Sequence, residues 1–136
     1  YGVSAFPTMF LLDGDGNVVY KILGGRDVRS FMESIKRGKE QEIPYYTLKN
    51  RYDMGDRSVE VMADYFLTMS DAGEMRNAEG EARSYISTLK VPELYSKSAW
   101  MLYDNFVNHV TDPEFRYLVN NREKFGEQLG DSEQKN

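Results

Sequence analysis

Few residues in this 136-residue sequence could do chemistry: one histidine (His109), the loop Asp13-Gly14-Asp15-Gly16-Asn17, the Gly24-Gly25-Arg26 step, the aromatics Trp100, Tyr103 and Phe106, and scattered carboxylates such as Glu79 and Glu81. There is no cysteine, so the chain has no thiolate nucleophile, no thiolate metal site and no disulfide. A lone imidazole makes neither a zinc site nor a Ser-His-Asp relay, and His109 is read as a solvated or hydrogen-bonded side chain on a helix. The 13–17 loop resembles a calcium loop in its alternating ligands. That geometry wants glycine at the sixth position and glutamate at the twelfth, where this chain has Val18 and Gly24, so the loop reads as a hairpin turn. The Gly24-Gly25-Arg26 step lacks the spaced glycines of a phosphate loop and reads as a connector. Trp100, Tyr103 and Phe106 lie on adjacent helical turns and read as core, while Glu79 and Glu81 read as a solvated face. No catalytic residue, metal or cofactor is expected within these residues.

The bulk properties narrow the partners. The formal net charge is −5, with residues 1–38 at +1 and residues 39–136 at −6, the opposite sign to that of a general nucleic-acid binder. No apolar run approaches the roughly 20 residues of a membrane-spanning helix. The chain begins with Tyr1 and shows no basic-then-apolar leader, so it reads as a processed product or an excised piece of a longer chain.

The elements that must position these residues fall into two regions. Thr8 to Leu12 (TMFLL) and Val18 to Leu23 (VVYKIL) read as antiparallel strands joined by the glycine-bearing turn. Asp27 then caps a helix carrying Phe31, Met32 and Ile35, with Lys36 and Arg37 at its negative end and Gly38 as terminator. Beyond Gly38 the apolar period becomes 3.6. Stripes at Met62, Tyr65, Phe66 and Met69, at Ala78, Ala82, Tyr85, Ile86 and Leu89, and at Tyr95, Ala99, Leu102, Tyr103, Phe106 and Val110 predict three helices. A fourth starts at Asp112-Pro113 and continues through Phe115, Leu118 and Val119, and a further one is expected around Tyr45 to Tyr52. Gly55, Gly73 and the Pro92 region separate them. The fold class is therefore α+β and mostly α: a β-hairpin plus helix over residues 1–38, an antiparallel helical bundle or short helical-repeat-like domain over 39–129, and a frayed polar tail over 130–136.

Residues 1–38 resemble the C-terminal half of a thioredoxin-like domain, of the thiol–disulfide oxidoreductase family. The resemblance rests on Tyr1-Gly2-Val3, on Pro7-Thr8 opening a buried strand, on the glycine-bearing hairpin with Gly16, and on Gly24 before a closing amphipathic helix. It implies a partial thioredoxin fold, a cis peptide bond before Pro7, and a substrate-facing wall made by Phe6, Pro7, Thr8 and Gly24. In that wall Phe6 would offer main-chain groups to an extended protein or peptide substrate. The helical part, with Gly55 to Ser58 and Asp112 to Phe115, is similar to the corresponding region of exported bacterial thioredoxin-like proteins, which implies a periplasmic or cell-envelope location.

The family's first half, bearing C-x-x-C, is absent, and without a thiolate the chain as given cannot exchange disulfides. A longer parent with the dithiol upstream, or a redox-inactive relative retained for binding, would account for this. The alternative is a non-enzymatic helical protein-binding module with a thioredoxin-fold remnant. Loss of the neighbouring half should expose Met9, Phe10, Leu11 and a strand edge. Either the helical region covers them or two chains pair through the hairpin as a homodimer.

Overall fold

The computed structural model describes residues 5–133, which form a two-stranded antiparallel sheet and seven α-helices, an α+β arrangement dominated by helix. Two compact units divide between Arg76 and Asn77. The sequence-based boundary at Gly38 thus falls inside the first unit, because helices beyond it complete the hairpin's core.

In the first unit, β1 (Thr8–Leu12) pairs with β2 (Val18–Leu23). The register shifts between Leu11, opposite Tyr20, and Leu12, opposite Val18, leaving Val19 as the extra residue of a β-bulge. Residues directly opposite share a face, so the bulge puts Val18 with Phe10 and Lys21 on one face and Tyr20 with Met9 and Ile22 on the other. Plain alternation would have kept Val18 and Tyr20 together. The packing agrees: Phe10 and Val18 join a cluster with Tyr45, Met69 and Ala72, whereas Tyr20 lies against Gly38.

Helix α1 (Val28–Glu40) begins as expected, with the Asp27 carboxylate accepting from the Ser30 N–H at 3.0 Å. It does not stop at Gly38. That glycine is buried in the last turn of α1, and a Cβ there would meet Tyr20 Cγ at 2.8 Å and Cβ at 2.9 Å, so its role is close approach of helix to sheet. Ser34 and Gly38, one turn apart, are the buried residues of α1, while Met32 from the expected stripe is 57% exposed. The small residues let the helix sit close.

Helices α2 (Tyr45–Asp53) and α3 (Val59–Asp71) complete the unit. Each ends in the same way. Gly55 and Gly73 adopt positive φ, and the next residue's N–H returns to an earlier carbonyl, Asp56 to Arg51 at 3.0 Å and Glu74 to Met69 at 2.9 Å. The α3 stripe is buried as the period requires, with Met62, Phe66 and Met69 inside and Tyr65 stacked on Tyr52 at 3.9 Å between ring centres. The β1 residues Met9, Phe10 and Leu11 are half-buried, so the expected exposure is partial, and Phe10 is covered by the helical cluster.

The second unit contains α4 (Ala78–Ile86), a 3-10 turn (Glu93–Tyr95), α5 (Lys97–Phe106), α6 (Pro113–Asn120) and α7 (Arg122–Glu133). Its core gathers around Phe125, whose ring lies edge-on to Tyr95 at 4.8 Å and Tyr103 at 5.6 Å and beside Trp100 at 6.1 Å. Three sequence expectations shift here. Helix α5 ends at Phe106, where Val107 leaves helical geometry, so Val110 is 71% exposed and His109 lies in a turn beyond the helix. Asp112 precedes α6 without capping it; its carboxylate takes Arg83 at 3.1 Å and the His109 N–H at 3.3 Å instead. Helix α7 runs through Gly130 to Glu133, where the sequence suggested a tail, and residues 134–136 of that tail lie outside the described residues.

Candidate functional site

Phe6, Pro7, Thr8 and Gly24 come together at the open end of the hairpin. The ladder closes at Thr8 opposite Leu23, and the Gly24 N–H donates to the Pro7 carbonyl at 2.8 Å. The Phe6–Pro7 bond is cis. Thr8 Oγ1 donates back to the Ala5 carbonyl, fixing the approach to Pro7. Phe6 lies beyond the ladder with its side chain 90% exposed. Gly24 has φ +88° with nothing within 4 Å of where a Cβ would stand, so its backbone conformation favours glycine and its outer face is open. These groups present main chain, an aromatic ring and the Thr8 hydroxyl at one open end of the hairpin.

The strongest electrostatic feature of the first unit is Asp71, at the end of α3. The Tyr20 hydroxyl donates to it at 2.6 Å, Arg26 at 2.7 Å and Arg37 at 2.8 Å, and Arg26 also reaches the Asp71 carbonyl at 2.9 Å. Ser34 Oγ accepts from both guanidiniums at 3.1 Å. Burial disfavours the Asp71 charge, but the Tyr20 and Arg37 hydrogen bonds outweigh it and hold the carboxyl below the usual range. Burial and the Asp71 charge push the Tyr20 hydroxyl up. A carboxylate held by two guanidiniums is a poor base, and the cluster ties β2, α1 and α3 together. The sequence treated Arg26 as connector and Arg37 as a helix-end charge. The available signal was Asp71 itself, an acid in the last turn of a helix, where the dipole disfavours it.

Glu74 repeats the device just past that helix. Lys21, whose side chain is 3% exposed, donates at 2.9 Å, Lys49 donates at 2.8 Å, and the Tyr45 hydroxyl donates as well. Burial opposes ionisation, yet the hydrogen bonds from Lys49, Tyr45 and Lys21 lower the Glu74 carboxyl from its ordinary 4.5 to about 2. A depressed folded-state value adds stability that is complete above the unfolded value and is lost as pH falls through the folded one. Thermal unfolding followed between pH 6 and pH 2 is therefore expected to show stability falling below about pH 4.5. Glu74→Gln should lower stability by about 1 kcal/mol at pH 7 and flatten that fall. An unchanged pH slope would count against the assignment.

The other candidates resolve structurally. Asp13 closes its own turn, accepting from Asp15 N–H at 2.9 Å, Asn17 N–H at 2.8 Å and Asn17 Nδ2 at 2.9 Å, and its carboxyl is lowered chiefly by the Asn17 side chain. Tyr103 and Phe106 are buried, and Trp100 packs on Phe125. Glu81 is exposed, while Glu79 lies 3.9 Å from Arg83. Among the described residues no cluster of three or more His, Cys, Asp or Glu could hold a metal, and no helix is long and apolar enough to cross a membrane. Comparison of the chain with protein-family models, curated proteins and solved structures returns no match.

Proposed function

We propose that this chain is the C-terminal portion of a thioredoxin-like protein related to thiol–disulfide exchange, redox-inactive by itself, with helices that mediate protein contacts in a bacterial cell envelope. The observation that carries the reading is the convergence of Phe6, Pro7, Thr8 and Gly24 at one open end of the hairpin. Strand-like pairing of an extended peptide uses main-chain groups next to an open face, and Phe6 lies beyond the ladder beside Gly24. The substrate wall would then serve a dithiol supplied from outside these residues. Among the described residues the sheet has two strands, β1 and β2, so the outer edge of β1 is available to a peptide or to a second copy.

The test has two arms. An extended peptide titrated into the labelled chain is expected to shift the amides of Phe6, Thr8 and Gly24. The protein with its upstream sequence is expected to carry C-x-x-C and reduce insulin, with activity lost when the cysteines are replaced by serine. An upstream sequence without the dithiol, together with no peptide-induced shifts at those amides, would sink the reading and favour a non-enzymatic helical binding module.

A further inference from the structure

The second unit contains a hollow of about 230 Å³ between the end of α4, the 3-10 turn and α6. Its walls include Leu89, Leu94 and Pro113, and Ser87, Tyr103, Glu114 and Tyr117 bring polar groups to it. Glu114 gives Oε2 to Arg83 at 3.1 Å. Tyr117 shares a hydrogen bond of 2.9 Å with Tyr95. Tyr103 is buried and lines the hollow. Burial and the nearby Tyr117, Glu114 and Tyr95 push that hydroxyl up to about 12, so it stays protonated. The Tyr103 side chain thus closes the hollow from the core side with a protonated hydroxyl, which can donate to or accept from a ligand there.

The charge of the site selects the ligand. Among the described residues Arg83 is the one cation of this cluster, shared by Glu79 at 3.9 Å, Asp112 at 3.1 Å and Glu114 at 3.1 Å. Three carboxylates against one guanidinium leave an acidic excess beside an apolar wall. A ligand suited to both has an aliphatic stem ending in a cation. A second hollow of about 260 Å³, lined by Gly80, Arg83, Ser84, Ser87 and Glu114, adjoins the first through Ser87 and Glu114 and gives polar room for flanking main chain. A compact ammonium with three donors suits separate acceptors such as a carboxylate oxygen and two phenolic oxygens, whereas the planar fork of arginine suits a free bidentate carboxylate.

We infer that this hollow receives a lysine side chain of a partner protein segment, its stem between Leu89, Leu94 and Pro113 and its ammonium on Glu114 and the Tyr103 and Tyr117 hydroxyls. This rests on the reading of the helices as a protein-contact region and names what that region would recognise. The whole chain, isotope-labelled, can be titrated with Nα-acetyl-lysine N-methylamide, with its norleucine counterpart, with a short lysine-centred peptide and with n-butylamine. Saturable shifts at Leu89, Leu94, Tyr103 and Tyr117 are expected with lysine, at least about tenfold weaker with norleucine, which lacks the charged donor, and tighter with the peptide. Glu114→Gln and Tyr103→Phe should each weaken lysine binding by about tenfold while thermal unfolding shows the second unit still folded. Equal binding of norleucine, or n-butylamine binding as tightly as the peptide, would overturn the assignment, as would no saturable shift. Cross-linking of the helices to a partner at a surface away from the hollow would also overturn it, while leaving the protein-contact reading in place.

Discussion

Replacing Asp71 by alanine is expected to lower the unfolding free energy of the first unit by about 3 kcal/mol, since it leaves two partly buried guanidiniums and a buried phenol without their shared acceptor. The side chains of Arg26 and Arg37 are 23% and 30% exposed, and water can rescue them in part, which puts the expected loss at the lower end for a broken buried pair. Against a typical domain stability of about 5–15 kcal/mol this is a large fraction. Asp71→Asn keeps the shape and some of the hydrogen bonds but removes the charge, and should fall between wild type and alanine. Urea denaturation of the three proteins measures the order. Equal stability of Asp71→Ala and wild type would mean that the cluster is a surface decoration.

The second large effect is expected at Gly38, where two ordinary rules conflict. Helix propensity says that glycine to alanine in a helix interior should stabilise by about 0.5–1 kcal/mol. Packing says the reverse, because the new Cβ would stand 2.8–3.0 Å from three atoms of Tyr20, a side chain with 0% exposure held at its far end by Asp71. The atoms struck are Cβ, Cγ and Cδ1, near the root of the ring, so a simple swing of the tyrosine does not clear them. Gly38→Ala is therefore expected to destabilise by about 1–3 kcal/mol, and Gly38→Leu by more. Gly126→Ala is the matched control: it is also helical, with nothing within 4 Å of the added methyl, and should be neutral or mildly stabilising. Denaturant midpoints for the pair decide it, and a stabilised Gly38→Ala would show that α1 can move away from the sheet.

These two residues also mark where the sequence was legible and where it was not. The strands, the turn at Asp13–Asn17, the Asp27 cap and the stripe of α3 are local patterns, and the structure follows them. Glycine after basic residues commonly ends helices, and Gly38 carries that local signal; its requirement, the approach of Tyr20, comes from a residue on another element. Asp71 is further out of reach, since its partners Tyr20, Arg26 and Arg37 lie 51, 45 and 34 positions away. The hairpin end was legible as a constellation because its members follow one another along β1 and close on Gly24. The Tyr103 hollow was not, because an aromatic at helical spacing looks the same whether it fills a core or lines a hollow between elements far apart in sequence.

The bulge at Val19 has a consequence for how β2 carries information. Upstream of it the strand is written in one phase of its two-residue period and downstream in the other, so the same six residues address two layers of helix at once. Deleting Val19 would leave every address in place, because Val18 and Tyr20 would become neighbours on a regular strand and neighbours face opposite ways, as these two already do. A residue inserted in β1 between Leu11 and Leu12, opposite Val19, would instead pair the extra residue and put Val18 on the same face as Tyr20 and Ile22, away from the cluster it shares with Phe10. The offset of one residue between the two strands, and not the side chain of Val19, is what holds the two faces to their layers.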